Sequence, residues 1–257
     1  MHPILLQFGP MTLRTYGVLV ALAFLAAMQI ARVAAVRRRI PEGHLLDLVA
    51  VLVLSGLLGA RLFYVVLNAA YYRQHLLDAL KIWEGGLVFY GGFIAAAVTG
   101  VFFVRRWRLS LGSVADCLAP AIAVGQAIGR WGCFFAGCCY GRATSIPWAV
   151  RYQDSASLAP LGIDLHPVQL YESFGDLLIA LFLWIVLVRR PNTNGNVFWL
   201  YTLLYGLLRF GLELLRGDER GPGAGGLSPS QLIALGAVLV SSSILIARAA
   251  SQPNANA

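Results

Sequence analysis

Apolar residues in this chain run in long continuous blocks separated by short polar and basic clusters, a pattern of helical spans rather than of alternating strands. Seven blocks approach the roughly 20 residues that cross a bilayer as a helix. They run from Tyr16 to Ala35, Leu45 to Leu67, Leu87 to Val104, Val114 to Phe135, Leu170 to Val188, Val197 to Leu215 and Gln231 to Ala247. The first is too long for the core of a signal peptide and has no basic segment before Arg14, so it is expected to stay as an uncleaved helix. No repeat, low-complexity tract or separate soluble domain interrupts the pattern. The expectation is an all-α, polytopic integral membrane protein of seven transmembrane helices, with residues 1–257 forming a single domain.

Composition agrees. Of the 257 residues 58% are hydrophobic and 12% charged, where a soluble domain carries roughly 25% charged residues. With a mean hydropathy of +0.71, one soluble core cannot hide so much apolar surface, and disorder and collagen are excluded as well. The net charge is +8, and nineteen of the twenty basic residues are arginine. In a soluble protein that would raise nucleic acid; here it reads as topogenic charge and contact with an anionic lipid bilayer, with no nucleic acid as partner. Arginines with few acids follow spans one, three, five and seven (Arg37, Arg38, Arg39, Arg105, Arg106, Arg189, Arg190 and Arg248), while acids dilute the basic residues at the opposite ends. By the positive-inside rule the N-terminus lies outside and the C-terminus is cytoplasmic.

Ionisable side chains within spans are costly and mark either function or internal pairing. Here they gather at the external end. Tyr16 opens span one, and Arg61 lies in the outer half of span two. Glu84 and Tyr90 flank the start of span three, and Gln126 and Arg130 lie in the outer part of span four. His166, Gln169, Tyr171 and Glu172 enter span five, and Tyr205, Arg209, Glu213 and Arg216 occupy the outer part of span six. Guanidinium groups at headgroup depth suit a phosphate ester, because arginine makes planar bidentate hydrogen bonds to it. A glycerophospholipid presents its phosphate at that depth. The plainer alternative is interhelical ion pairing among Arg130, Arg209, Glu172 and Glu213, with Arg61 snorkelling. Glycines cluster at the same end (Gly85, Gly86, Gly91, Gly92, Gly129, Gly132, Gly137 and Gly141) and serve either close approach to a headgroup or helix packing.

Taken in order, seven segments make the chain resemble the bacterial prolipoprotein diacylglyceryl transferases. They are Arg14-Thr15-Tyr16-Gly17; Gly59-Ala60-Arg61; Ile82-Trp83-Glu84-Gly85-Gly86 with Tyr90-Gly91-Gly92; Gly125-Gln126 with Gly129-Arg130-Trp131-Gly132; His166-Pro167-Val168-Gln169-Leu170-Tyr171-Glu172; Tyr205-Gly206 with Arg209-Phe210, Glu213 and Arg216; and Leu227-Ser228 with Gln231. The resemblance implies a multi-pass enzyme of the bacterial inner membrane, its active site facing the periplasm. Such an enzyme moves the diacylglyceryl group of phosphatidylglycerol to the thiol of a lipobox cysteine in a prolipoprotein signal peptide and releases glycerol phosphate. It implies no cofactor and no metal. It also implies roles: Arg130 and Arg209 stabilise charge on the departing phosphate, Glu213 and Glu172 orient those guanidiniums, and Tyr16, Tyr205, Gln126, Arg61 and His166 surround the phosphatidylglycerol.

Two departures from the family pattern stand out. Tyr90 occupies the position of a family histidine that is a candidate base, and a tyrosine with its pKa near 10 is a poor base unless arginines lower it. The family signature continues with two asparagines and a glutamate, whereas this chain reads Gly132-Cys133-Phe134-Phe135-Ala136-Gly137-Cys138-Cys139-Tyr140-Gly141. Cys133, Cys138 and Cys139 then form a disulfide or packed thiols, or carry chemistry. That chemistry would make the chain a membrane thiol–disulfide oxidoreductase or a paralogous lipid transferase. A metal site is the weaker reading, because Cys-x4-Cys-Cys lacks matched histidines and His166 is only a possible fourth ligand. A lipid transporter would need a polar path that only Asp47, Asp116 and Asp176 extend inward. The segments from Gly141 to Leu165 and Gly217 to Ser230 are expected to move, since they hold the longest Gly, Pro and polar stretches outside the spans.

Overall fold

The computed structural model describes residues 2–8, 11–82, 85–190, 194–218 and 223–251. In chain order the elements are β1 (Ile4–Phe8), β2 (Met11–Arg14), α1 (Thr15–Arg37), α2 (Glu42–Leu67), α3 (Ala69–Tyr72), a 3-10 turn (Leu76–Leu80), α4 (Phe89–Arg106), α5 (Leu111–Ala136), β3 (Val150–Arg151), β4 (Asp164–Leu165), α6 (Val168–Arg189), α7 (Asn196–Glu213) and α8 (Pro229–Ala250). Every expected span falls on one of the long helices, with ends displaced by a few residues. Five of these helices, α1, α2, α5, α6 and α8, are long and apolar enough to cross a membrane. The other two are 18 residues long and less apolar: α4 ends on Arg105-Arg106, and α7 carries Arg209 and Glu213. Leu58, Leu62, Val98, Phe102, Leu181 and Leu239 stand more than half exposed on the helix surfaces, an apolar exterior that suits lipid and not water. The protein is a multi-pass membrane protein.

The all-helical expectation is incomplete outside the spans. β1 and β2 form an antiparallel hairpin, and β3 pairs with β4 through Val150–Leu165 and Arg151–Asp164. Both pairs are too short to leave an alternating signature that stands out from the flanking apolar runs.

The described residues pack as two compact units. One draws on Met1–Ala34 and Ala115–Ala257, the other on Ala35–Val114. In the first, α5 is the central helix. Its Cys117, Ala119 and Ala123 are fully buried, small residues that let neighbouring backbones come close. The carboxylate of Asp116 accepts from the backbone N–H groups of Gly195 (2.8 Å) and Phe198 (3.0 Å), and so caps α7 from another helix. That use removes Asp116 from any inward polar path. At the other end of this bundle Ser228 and Gln231 form a reciprocal capping box that starts α8, with Pro229 in its first turn.

In the second unit α2 packs on α4 at backbone contact. A Cβ at Gly59 would lie 2.6 Å from the carbonyl oxygen of Gly91, and one at Gly91 would lie 2.5 Å from that of Gly59. The Gly-Gly pair after Tyr90 therefore serves helix packing. Arg61 is buried, and its guanidinium donates to the carbonyl oxygens of Asp78 (2.6 Å), Gly85 (2.7 Å), Ala79 (2.9 Å) and Gly86 (3.2 Å). It neither snorkels nor turns its fork outward; it folds the chain after α3 back onto α2.

Candidate active site

The first unit gathers its polar side chains by helical arithmetic. Residues four apart share a helix face, and α7 lines up Tyr201, Tyr205, Arg209 and Glu213 at that interval, just as α5 lines up Gln126 and Arg130. On α6, Gln169, Glu172, Ser173 and Asp176 occupy one face, all buried. The three faces meet.

Glu172 is the hub. Its Oε1 pairs with Arg130 Nη2 at 2.6 Å and accepts from the Tyr205 hydroxyl at 3.4 Å. Its Oε2 faces Arg209 Nη1 at 3.7 Å, beyond hydrogen-bond reach. Arg209 Nη2 pairs with Glu213 at 2.8 Å, and Glu213 Oε1 accepts from Ser228 Oγ at 2.8 Å. Arg216 stands 3.8 Å from Glu213 and makes two 2.8 Å bonds to Asp218. Charges thus alternate Arg130, Glu172, Arg209, Glu213, Arg216, Asp218 through a nearly dry region. The Glu172 and Glu213 side chains are 1% and 4% exposed, those of Arg209 and Arg130 11% and 19%. Interhelical ion pairing is therefore real. It leaves groups over: the donor Arg209 Nη1 is buried without a hydrogen-bond partner among the described residues, as is the acceptor Glu172 Oε2, and Arg130, which spends Nη2 on Glu172, keeps 19% of its side chain exposed. Two guanidiniums beside one carboxylate, with an unspent N–H group, are an arrangement that can receive a tetrahedral oxyanion.

The neighbours are ordered too. Gln126 Oε1 accepts from the Tyr201 hydroxyl at 2.7 Å, and the Tyr201 ring stacks on Tyr205 with centroids 5.8 Å apart. Ser173 Oγ ties α6 to the carbonyl of Ala127 at 2.7 Å. Tyr16 lies against the last turn of α5, where a Cβ at Gly132 would be 3.2 Å from its ring. With Pro3, Arg14, Ala136, Cys138, Ala156 and Leu158, Tyr16 lines a cavity of about 170 Å³.

Beyond α5 the chain forms a folded cap. Tyr152, Ala159 and Leu165 build a small core with Tyr140 and Val150 packed on it. The Tyr152 hydroxyl donates to the Phe134 carbonyl at 3.0 Å, and burial pushes its pKa up to about 12. At the rim, the exposed Arg151 holds the Asp164 carboxyl below its usual range through a two-point hydrogen bond. The cap crosses the segment after α7: Arg142 N–H donates to Leu215 O at 2.8 Å and Gly217 N–H to Tyr140 O at 3.0 Å. A Cβ at Gly141 would collide with the His166 carbonyl at 2.4 Å, so only glycine permits this crossing. His166 lies at the crossing, its N–H bonded to Arg142 O and its Nδ1 buried without a partner among the described residues. The segment from Gly217 to Ser230 includes residues 219–222, which lie outside the described residues.

Cys133, Cys138 and Cys139 are free thiols with all three sulfurs within 4.8 Å of one another. Arg216 lies against Cys139. Among the described residues this is the group whose chemistry suits a metal ion.

The structure therefore joins Arg130, Arg209, Glu172, Glu213, Tyr205 and, one shell away, Gln126. Tyr90, half-exposed at the start of α4, and Arg61 belong to the other unit; Trp83 and Glu84 lie outside the described residues. Tyr201 and Asp218 enter the network without having been singled out, and Ser228, quoted above only within a family segment, joins it through Glu213. The four-residue ladder on α7 is the signal that points to Tyr201, and the Ser228-x-x-Gln231 box the one that points to Ser228.

A family model described as prolipoprotein diacylglyceryl transferase matches residues 3–247. The chain belongs to this family. Proteins named phosphatidylglycerol–prolipoprotein diacylglyceryl transferase are similar along almost their whole length. The one from Clostridium tetani is 34% identical over 244 residues, covering 93% of this chain and 95% of its own. That from Finegoldia magna is 38% identical over 230 residues, 90% and 88%. That from Parasynechococcus marenigrum is 37% identical over 244 residues, 90% and 88%. The family's match spans both units.

Proposed function

We propose that this chain transfers the diacylglyceryl group of phosphatidylglycerol to the lipobox cysteine of prolipoproteins, with residues 1–257 acting as one transferase domain. Membership of the family and the names of its relatives support the reaction. The observation that carries the mechanism is Glu172 holding Arg130 at 2.6 Å and Arg209 at 3.7 Å.

The acceptor sulfur attacks the glyceryl carbon that bears the phosphodiester oxygen. A C–S bond forms, the C–O bond breaks with its electron pair passing to phosphate, and the thiol proton is released. Charge thus accumulates on the phosphate oxygens, where the spare N–H groups of Arg130 and Arg209 gain strength as the bond breaks. Glu172 and Glu213 hold the two guanidiniums in register. Tyr205, Tyr16, Gln126 and His166 surround the lipid headgroup and its glycerol.

In this reading α4 and α7 also cross the inner membrane, making seven spans. Their 18 residues give about 27 Å of helix, close to the roughly 30 Å hydrocarbon core. The arginines after spans one, three, five and seven support an external N-terminus and a cytoplasmic C-terminus, with the arginine–carboxylate network facing the periplasm.

The test is direct. Purified protein in phosphatidylglycerol vesicles is incubated with a lipobox peptide, and mass spectrometry looks for a diacylglyceryl adduct on the peptide cysteine. An adduct that disappears with Arg130→Ala supports the reading; no adduct while a known family member works in parallel refutes it.

A further inference from the structure

The transferase reading leaves the thiol cluster unused and names no group that activates the acceptor thiol. Both gaps close together. We propose that Cys133, Cys138 and Cys139 form a three-thiolate site for a thiophilic d10 cation such as Zn²⁺, whose fourth position takes the acceptor cysteine of the prolipoprotein. This rests on the transferase reading.

The ligand set comes first. The three sulfurs already lie within 4.8 Å of one another. Zinc–sulfur bonds of about 2.3 Å would bring them to roughly 3.8 Å apart, a closing movement of about 1 Å or less. Soft sulfur selects Zn²⁺ or Cu(I) over harder cations. A disulfide would use two of the three and leave one over, whereas a metal uses all of them.

The backbone is shaped for this convergence. The chain reverses at Gly137 (φ +77°), where a Cβ would sit 2.1 Å from Ser157 Oγ, and again at Cys139, whose φ of +59° is left-handed. A non-glycine residue rarely adopts that conformation; here it turns two adjacent cysteines to the same side, toward Cys133 in the last turn of α5. The turn is held by Gln169 Nε2 on the Cys138 carbonyl at 2.9 Å and by Leu158 N–H on the Ala136 carbonyl at 3.0 Å.

The location suits the acceptor. Among the described residues the group holds three ligands, the number that leaves a tetrahedral ion one open position. Cys138 lines the 170 Å³ cavity beside Tyr16, which gives a peptide side chain a way in. Arg130 lies three residues before Cys133, one turn away on the same helix, and Arg216 lies against Cys139; both offset thiolate charge. An incoming thiol that binds as fourth ligand loses its proton to water, because metal coordination makes a thiol a thiolate outright. Its sulfur then attacks the glyceryl carbon, the phosphate leaves with the C–O electron pair toward Arg130 and Arg209, and the neutral thioether product is a poor ligand that departs. No external oxidant or reductant is needed.

Reduced protein in detergent is stripped with a chelator and titrated with Zn²⁺ and, as a spectroscopic probe, with Co²⁺. The expected result is one ion per chain, three fewer maleimide-reactive thiols when it is bound, and loss of binding in Cys133→Ser and Cys138→Ser but not in Cys117→Ala. The sulfur-to-cobalt absorption should strengthen with a lipobox peptide and not with its Cys→Ser counterpart, a readout that needs no variant of the protein. Stripping should lower transfer on the order of 10²-fold, the scale of losing an acid–base group, and Zn²⁺ should restore it. Absence of saturable metal uptake after reduction overturns the proposal, as does equal transfer by stripped, Cys133→Ser and wild-type proteins; in the latter case the transferase reading stands. Metal binding and the spectral response without any adduct would sustain the thiol site and refute the transferase.

Discussion

Replacing Arg130 by lysine keeps one positive charge and removes a fork. In the structure one arm of that fork, Nη2, is committed to Glu172 at 2.6 Å, while the side chain remains 19% exposed. A lysine ammonium can keep the Glu172 pair, and so the charge balance of a buried network whose breakage would cost about 3–5 kcal/mol. What it cannot do is hold the carboxylate and offer a second, coplanar N–H to the phosphate. The loss is that of one preorganised donor at the site of developing charge, about 2.7–4 kcal/mol, or 10²–10³-fold in kcat. Because the donor strengthens as the C–O bond breaks, the drop should fall on kcat more than on KM for phosphatidylglycerol. The assay is transfer to a lipobox peptide at varied phosphatidylglycerol, with thermal unfolding measured alongside and expected to move by no more than about 3 °C. A kcat within tenfold of wild type in a protein of unchanged stability would refute the assignment, as would a pure KM effect.

Other expectations follow from the same geometry. Glu172→Gln leaves two buried guanidiniums without their shared counter-charge and should destabilise the protein by about 3–5 kcal/mol, read as a lower thermal midpoint; an unchanged midpoint would mean that the network is not a unit. Tyr90→Phe should leave the pH profile of kcat unaltered, since a phenol is a weak proton acceptor at neutral pH; a shifted profile would make Tyr90 the base. Arg61→Gln removes donors to four backbone carbonyls and should speed proteolysis and hydrogen exchange across residues 76–82, whereas a phosphate ligand would change KM alone. Gly91→Val would drive a side chain into the Gly59 carbonyl and should abolish recovery of folded protein.

Much of this protein was readable before its structure. The spans were legible because a bilayer demands about 20 consecutive apolar residues, a requirement written in adjacent positions. The polar residues that matter were legible because charge inside a span is too costly to be incidental, and Arg130, Glu172, Arg209 and Glu213 proved to be in contact. Tyr201 was missed because a tyrosine in a membrane helix looks like an interfacial anchor until its hydroxyl is seen on Gln126. Asp116 looked like part of an inward polar path and is a helix cap. Arg61 looked like a phosphate ligand and holds four carbonyls. In each case the residue type was informative, but its partner lay on a segment that sequence distance does not connect.

That division has a physical basis. Hydrophobic burial is approximately additive along the chain, so the sequence alone determined the helices, the membrane as their solvent and the end at which polar groups collect. Hydrogen bonds and ion pairs are directional and short-ranged, decided at a few tenths of an ångström between residues such as Arg130 and Glu172 that are 42 positions apart. Only the tertiary structure decided which arginine spends its donors on the protein and which keeps a donor unspent. It also brought the three cysteines, near one another in sequence but with no contact legible there, within 4.8 Å of one another, because the turn that converges them depends on left-handed backbone at Gly137 and Cys139 and on the packing of the cap around Leu158 and Gln169.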